Sequence, residues 1–119
     1  SWNIMKIKIY HNPRWGKSRD SVRILERKKL DFKIIEYLKE PLHIEDLEKI
    51  LNNLQLNPID IVRTSESDFK DNNLSKIMDD DYEILNAIIK FPKILQRPII
   101  LNGNKGVIGR PPENILKII

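Results

Sequence analysis

The sequence predicts an α/β protein built on a mixed four-stranded sheet, in the element order βαβ, a helical insert, then ββα. Three observations support this prediction. Two strand-like stretches near the N-terminus flank a segment of helical composition, which is the pattern of a βαβ unit. Helical periodicity dominates the middle of the chain. An Asn-Gly-Asn turn joins two further apolar stretches near the C-terminus, which indicates a hairpin.

The N-terminal βαβ unit starts with a strand over Lys6–Tyr10, in which polar and apolar residues alternate. After a loop of turn composition, Ser18 is predicted to cap a helix that runs to about Lys29, because its hydroxyl can accept a hydrogen bond from a backbone N–H. Aromatic and β-branched residues predict a second strand over Phe32–Leu38. The right-handed crossover rule then makes the two strands parallel.

The middle of the chain is predicted to be helical. Apolar residues at helical spacing form one stripe: Ile44, Leu47, Ile50, Leu51 and Leu54. The pair Asn57-Pro58 predicts a short helix that continues to about Val62, since asparagine caps helices and proline suits the first helical position. A further helix over Tyr82–Ile89 has Asp79–Asp81 at its positive N-terminal end and stops at Pro92.

The C-terminal part is predicted to be a hairpin followed by a helix. Ile99–Leu101 and Lys105–Ile108 flank the turn, and Pro112 opens a helix that ends at Ile119. The complete order matches a thioredoxin-like fold, which predicts one domain over residues 1–119 with a helical insertion at about 41–95. Such folds usually have a cis proline before the third strand, where Pro98 stands, and an ordinary trans proline at the first residue of a strand is the alternative.

The composition of this 119-residue chain, 40% hydrophobic and 32% charged, excludes a disordered, collagenous or repeat-built protein. No apolar run approaches the roughly 18 residues of a membrane span, and the opening residues do not form a signal peptide, so we expect a soluble, cytoplasmic protein. Residues 1–30 hold nine basic and two acidic side chains, which favours an anionic partner. Aromatic residues do not interleave with them, which argues against nucleic acid. A solvated helix face is the simpler explanation for Arg23, Arg27, Lys28 and Lys29.

The residues present exclude several kinds of chemistry. The chain contains no cysteine, so it has no disulfide, no thiolate metal site and no sulfur nucleophile of its own. The two histidines, His11 and His43, lie far apart and lack the spacing of metal ligands, so we expect no metal. The run Trp15–Ser18 has the ending of a phosphate-binding P-loop, but that motif requires glycine where His11 stands.

The residues do support an anion site. A helix that begins at Ser18 directs its free N–H groups and positive dipole end into the preceding loop, which suits a tetrahedral oxyanion or a thiolate. Three arginines lie outside the predicted elements: Arg63, Arg97 and Arg110. In a thioredoxin-like layout the segment before the third strand lies beside that helix N-terminus, so topology favours Arg97 most. Any one of these arginines taken alone is more simply a surface residue.

Four segments of the sequence together form a further pattern: Ile9–Arg19, Ile61–Arg63, Gln96–Ile100 and Gly109–Pro111. Together they resemble the arsenate reductase family of the glutaredoxin-dependent type, which also includes Spx, a redox regulator of RNA polymerase. The resemblance covers nearly the whole chain. It implies that the oxyanion is surrounded by Arg63, Arg97 and Arg110. It further implies that His11 and Ser18 tune the nucleophile and that Pro98 is cis.

The resemblance also implies reduction of arsenate to arsenite, with glutathione and glutaredoxin as reductants. In that family the loop carries the cysteine that attacks arsenate, and Trp15 stands at its position here. An indole has no sulfur and donates a single N–H, so it cannot form the covalent adduct. We therefore expect a catalytically impaired family member, without a bound cofactor, that binds arsenate, phosphate or sulfate through the three arginines and the Ser18 helix terminus. The alternatives are an Spx-like interaction protein that contacts RNA polymerase, and an arsenate reductase inactivated at Trp15.

The Trp15 side chain itself has two physical interpretations. It either folds over the arginines as a cation–π lid or points outward, into solvent or a protein partner. The lack of room for a bulky ring beside a helix N-terminus favours the outward orientation.

Overall fold

The computed structural model describes residues 7–119. The alternating N-terminal segment forms strand β1, Ile7–Tyr10, and Lys6, the first residue of the predicted strand, lies outside the described residues. Strands β2 (Lys33–Ile35), β3 (Ile99–Asn102) and β4 (Lys105–Ile108) complete a sheet in the order β2-β1-β3-β4. β1 pairs with β2 in parallel, and β3 pairs antiparallel with both β1 and β4. This mixed four-stranded sheet confirms the predicted fold class.

The strand register brings three chain segments to one edge of the sheet. Tyr10, the last residue of β1, is opposite Ile99, the first of β3, and Ile99 is opposite Ile108, the last of β4. Because these neighbours run antiparallel, the loop after β1, the segment before β3 and the segment after β4 all lie at this edge. The turn between β3 and β4 contains Gly103 at φ +62°, a left-handed backbone that glycine adopts without strain.

The chain divides into two compact units. The first comprises the chain up to Glu40 together with Arg97–Ile119, and it contains the sheet, helix α1 (Gly16–Arg27) and a C-terminal 3₁₀ helix (Pro112–Lys117). α1 ends before the predicted Lys29, which has a left-handed backbone (φ 56°). The buried apolar core of this unit draws on β1, α1, β3 and the C-terminal segment: Ile7, Ile9, Leu25, Ile100, Ile115 and Ile118.

The second unit, Pro41–Gln96, is helical. Its elements are α2 (Ile44–Leu54), α3 (Ser67–Asp71) and α4 (Asp81–Lys90), with 3₁₀ turns at Pro58–Ile61, Leu74–Ile77 and Pro92–Ile94. The bounds of α2 are those of the predicted apolar stripe, which is confirmed. α4 starts after Asp80, whose carboxylate accepts a hydrogen bond from the Glu83 N–H at 3.0 Å. The prediction of one domain with an insertion at about 41–95 stays a prediction.

Three further elements end earlier than predicted. The second strand is shorter than predicted because the chain turns after Ile35 at Glu36, whose carbonyl accepts two backbone N–H groups. The short 3₁₀ helix ends at Ile61, since Val62 forms an isolated β-bridge instead. The last helix is of the 3₁₀ type and ends at Lys117. None of the helices within residues 7–119 is both long and apolar enough to span a bilayer.

Candidate functional site

The loop after β1 lies at the sheet edge described above. The strand register puts His11–Trp15 beside the segment that contains Arg97 and Pro98. The Arg97–Pro98 peptide bond is cis, and so is the Arg110–Pro111 bond in the segment that follows β4. The Gly109 N–H donates to the Pro98 carbonyl at 2.8 Å, which joins the two proline segments.

Gly109 permits a close approach at this edge that the sequence did not reveal. A β-carbon at Gly109 would lie 2.8 Å from Ser21 Oγ, 2.9 Å from Pro98 Cγ and 3.0 Å from Ile100 Cδ1. Such distances are shorter than ordinary van der Waals contact, so glycine is what allows this segment to pack against α1 and Pro98. The motif Gly109-Arg110-Pro111 can be recognised in the sequence, but it does not indicate that the glycine is closely packed.

Ser18 fastens the loop to α1 rather than capping the helix. α1 begins at Gly16 with Trp15 as its N-cap residue, so the predicted N-cap role of Ser18 was wrong. Ser18 is fully buried within the first turn. Its Oγ accepts a hydrogen bond from the Asn12 N–H at 3.0 Å and lies 2.7 Å from His11 Nδ1. The hydroxyl is therefore used by the loop and not by the amides of its own helix.

The His11 ring is buried, and its surroundings favour the neutral form. Burial is the largest influence and lowers the pKa of His11 from 6.5, while the Glu36 carboxylate opposes this shift and Arg19 adds to it. Ser18 Oγ accepts from the Asn12 N–H, which can only donate, so of its two partners only His11 Nδ1 can accept the hydroxyl proton, and we assign His11 Nδ1 as the acceptor. The ring proton is thereby assigned to Nε2. Among residues 7–119, no group of three His, Asp or Glu side chains could hold a metal ion.

The loop backbone is held by groups other than the indole. The Trp15 N–H donates to the Asn12 carbonyl at 3.1 Å, and the Arg14 N–H donates to Asn12 Oδ1 at 3.1 Å. Arg19 Nη1 donates to the Pro13 carbonyl at 2.9 Å. These three bonds set the path of the chain from residue 12 to residue 19, and none of them involves the Trp15 side chain.

Arg97 and Trp15 stack on one another at this edge. Arg97 Cζ lies 3.8 Å from the centroid of the Trp15 ring, a stacking distance for a planar guanidinium on an indole. Arg97 is 3% exposed and Trp15 is 44% exposed, so the ring lies on one face of a buried guanidinium and is itself partly in solvent. The favoured expectation that Trp15 points outward was wrong, because the flat cation offers the indole a partner that solvent does not.

The other two predicted arginines have different surroundings. Arg110 is exposed and follows β4, so the backbone places it at the same sheet edge as Arg97. Arg63 belongs to the second unit, where its N–H donates to the Ile94 carbonyl at 2.6 Å. The Nε atom of Arg63 is buried without a hydrogen-bond partner among the described residues. Convergence of the three guanidinium groups on one ligand stays a prediction.

Comparison with known sequences identifies the family of this chain. The sequence matches the model of the ArsC family over residues 10–118. The arsenate reductase of Haemophilus influenzae is 34% identical over 116 residues, which cover 97% of this chain and 100% of that protein. The arsenate reductase of Neisseria meningitidis serogroup A is 35% identical over 115 residues, which cover 96% of this chain and 98% of that protein.

A solved structure agrees with the sequences. The arsenate reductase from Vibrio cholerae superposes with a TM-score of 0.91 at 33% identity, covering 98% of this chain and 100% of that chain. This likeness confirms the thioredoxin-like fold that the element order predicts. Because the family match, the relatives of equal length and the shared fold all agree, this chain belongs to the ArsC family.

Proposed function

We propose that this protein binds a tetrahedral oxyanion of the arsenate type and does not reduce it on its own. The observation that carries the proposal is the buried guanidinium of Arg97, stacked on Trp15 at the N-cap of α1, in a chain without cysteine. The arsenate reductases among the relatives make arsenate the first ligand to test, with phosphate and sulfate as the comparison ligands.

The charge distribution at the sheet edge favours an anion. Arg97 carries a positive charge on a planar fork of N–H donors that matches pairs of oxyanion oxygens. α1 points its N-terminus at the same loop, and none of residues 16–19 is acidic, so the partial positive charge of the helix end is not neutralised there. Arg110, which follows β4, adds a further cation at this edge.

The residue at position 15 argues against reduction. Conversion of arsenate to arsenite requires two electrons, and the resemblance implies a cysteine thiolate that bonds to arsenic. Trp15 stands at that position, and no other residue in the chain carries a thiol. An indole N–H can donate one hydrogen bond to an oxyanion, but it cannot form or break an As–S bond. Glutathione and glutaredoxin therefore have no adduct on this chain to resolve.

Calorimetric titration with arsenate at low salt tests binding. We expect Arg97→Gln to weaken binding about 10- to 150-fold, the equivalent of one lost charge-assisted hydrogen bond. Arg23→Gln is the matched control, because Arg23 is an exposed arginine of α1 that pairs with Asp20 at 2.7 Å. Its loss should change the affinity by less than about twofold. Equal affinity of Arg97→Gln and the wild-type protein, or no arsenate binding by either, would contradict the proposal.

A thiol restored at position 15 tests the absence of catalysis. Trp15→Cys puts a cysteine at the N-cap of α1, where a helix N-terminus favours the thiolate. With glutathione and glutaredoxin added, we expect arsenite from Trp15→Cys and none from the wild-type protein. Arg14→Cys, which places a thiol at the neighbouring exposed position, is the control for an arbitrary loop cysteine. Arsenite production by the wild-type protein would refute the proposal, and an inactive Trp15→Cys protein would refute the alternative of a reductase disabled only at Trp15.

A further inference from the structure

The contact between Trp15 and Arg97 separates a charged group from water. Arg97 is 3% exposed, and its Nε and Nη2 atoms are buried. Trp15, whose ring centroid lies 3.8 Å from Arg97 Cζ, is 44% exposed. The indole therefore closes one face of the guanidinium to an anion that approaches from solution.

We infer that Trp15 is a gate on the oxyanion site, closed here by stacking on Arg97 and opened when the indole rotates into solvent. The inference rests on the proposed function, because it concerns access to the same site. In the closed state the indole shields the cation, and in the open state the guanidinium can donate hydrogen bonds to an oxyanion.

The loop geometry favours motion of the side chain alone. The Trp15 N–H donates to the Asn12 carbonyl at 3.1 Å and the Trp15 carbonyl accepts from the Arg19 N–H at 3.1 Å, so the backbone on both sides of the ring is tethered. Trp15 has an extended backbone, with φ −105° and ψ 131°, in which more than one χ1 rotamer is common. Rotation about the Cα–Cβ bond therefore removes the ring from this face of Arg97 while the loop stays in place.

A closed gate weakens binding in proportion to the fraction of molecules that are open. Cation–π stacking at partly exposed sites corresponds to a preference of about 2- to 30-fold for the stacked state. Removal of the ring should therefore tighten oxyanion binding by about the same factor. Trp15→Phe, which keeps a smaller aromatic face, should fall between the wild-type protein and Trp15→Ala.

Chemical modification of arginine tests the gate without any anion. Phenylglyoxal reacts with accessible guanidinium groups, and mass spectrometry of the peptides reports the rate at Arg97 alone. We expect Trp15→Ala to raise that rate about 2- to 30-fold over the wild-type protein. Tyr82→Ala is the control, because it removes an exposed aromatic ring from the second unit and should leave the rate at Arg97 unchanged. Equal protection of Arg97 in Trp15→Ala and the wild-type protein would overturn the gate.

Calorimetry with arsenate completes the test. Tighter binding by Trp15→Ala than by the wild-type protein supports the gate. Weaker binding by Trp15→Ala would overturn the gate and identify the indole as a platform that holds Arg97 for the ligand, with the proposed function intact. Arsenate binding by neither protein would refute the proposed function, and the modification rates would still decide whether Trp15 covers Arg97.

Discussion

Replacement of Ser18 by alanine tests how the loop after β1 is held. Ser18 is fully buried, and its hydroxyl serves the Asn12 N–H at 3.0 Å and His11 Nδ1 at 2.7 Å. Ser18→Ala takes this partner from two buried polar groups. A buried donor or acceptor that loses its partner costs about 1–3 kcal/mol. We therefore expect Ser18→Ala to lower the free energy of unfolding by about 2–4 kcal/mol.

Ser21→Ala is the matched control, because Ser21 is also fully buried on α1. Its hydroxyl donates to the Lys17 carbonyl at 2.9 Å, one turn earlier in the same helix. That carbonyl is already the acceptor of a helical backbone bond, so it keeps a partner when the hydroxyl is removed. Ser21→Ala should change the free energy of unfolding by less than about 1 kcal/mol.

Urea denaturation followed by circular dichroism compares the two variants. The larger loss corresponds to a fall in melting temperature on the order of 10 °C for a chain of this size. NMR titration of His11 adds a second measurement. Loss of the hydroxyl donor removes a group that stabilises the neutral ring, so the pKa of His11 should rise in Ser18→Ala. Equal stability of the two serine variants, or an unchanged His11 pKa, would refute the argument that Ser18 fastens the loop.

Three further predictions concern other features of the two units. Gly109→Ala should lower the free energy of unfolding, measured in urea, by about 1–3 kcal/mol because the added β-carbon has no room. Gly16→Ala should be nearly neutral, since its β-carbon would meet nothing closer than 3.7 Å. Equal effects of the two substitutions would contradict the close packing at Gly109. The NMR titration midpoint of His11 should lie below 6.5, so the unfolded chain takes up this proton at a higher pH than the folded protein does. The free energy of unfolding should therefore fall as the pH drops below about 6.5, and the contribution of His11 should level off below its folded pKa. A titration midpoint at or above 6.5 would contradict the lowered pKa. Asp80→Ala should cost about 0.5–2 kcal/mol through loss of the α4 cap, and thermal denaturation should show a much smaller effect for Asp79→Ala.

Elements with a strong local pattern were predictable from the sequence. The apolar stripe of α2 marks the helix that the structure shows at Ile44–Leu54, and the Asn-Gly-Asn turn marks the hairpin of β3 and β4. α3 (Ser67–Asp71) and the 3₁₀ turns at Leu74–Ile77 and Pro92–Ile94 were not predicted. Each of them spans five residues or fewer, which is too short to display a helical period.

The positions of the site residues could be predicted from the sequence only where the order of the strands determines them. Strand order explains why Arg97 lies near the loop, since antiparallel neighbours bring the end of β1 and the start of β3 together. The stacking of Trp15 on Arg97 depends on side-chain orientation between residues far apart in the chain, for which the sequence contains no signal. The N-cap assignment of Ser18 failed for a related reason. A serine hydroxyl suits a helix cap and a loop tether equally well, and only the folded position of Asn12 decides between them.

The tether at Asn12 and Ser18 gives position 15 an unusual independence. The main chain there is held by bonds that the Trp15 side chain does not make, so the side chain at position 15 can be exchanged while these bonds stay in place. Substitutions at position 15 are therefore expected to change what the site can bind or react with, and to leave the backbone of the loop as it is.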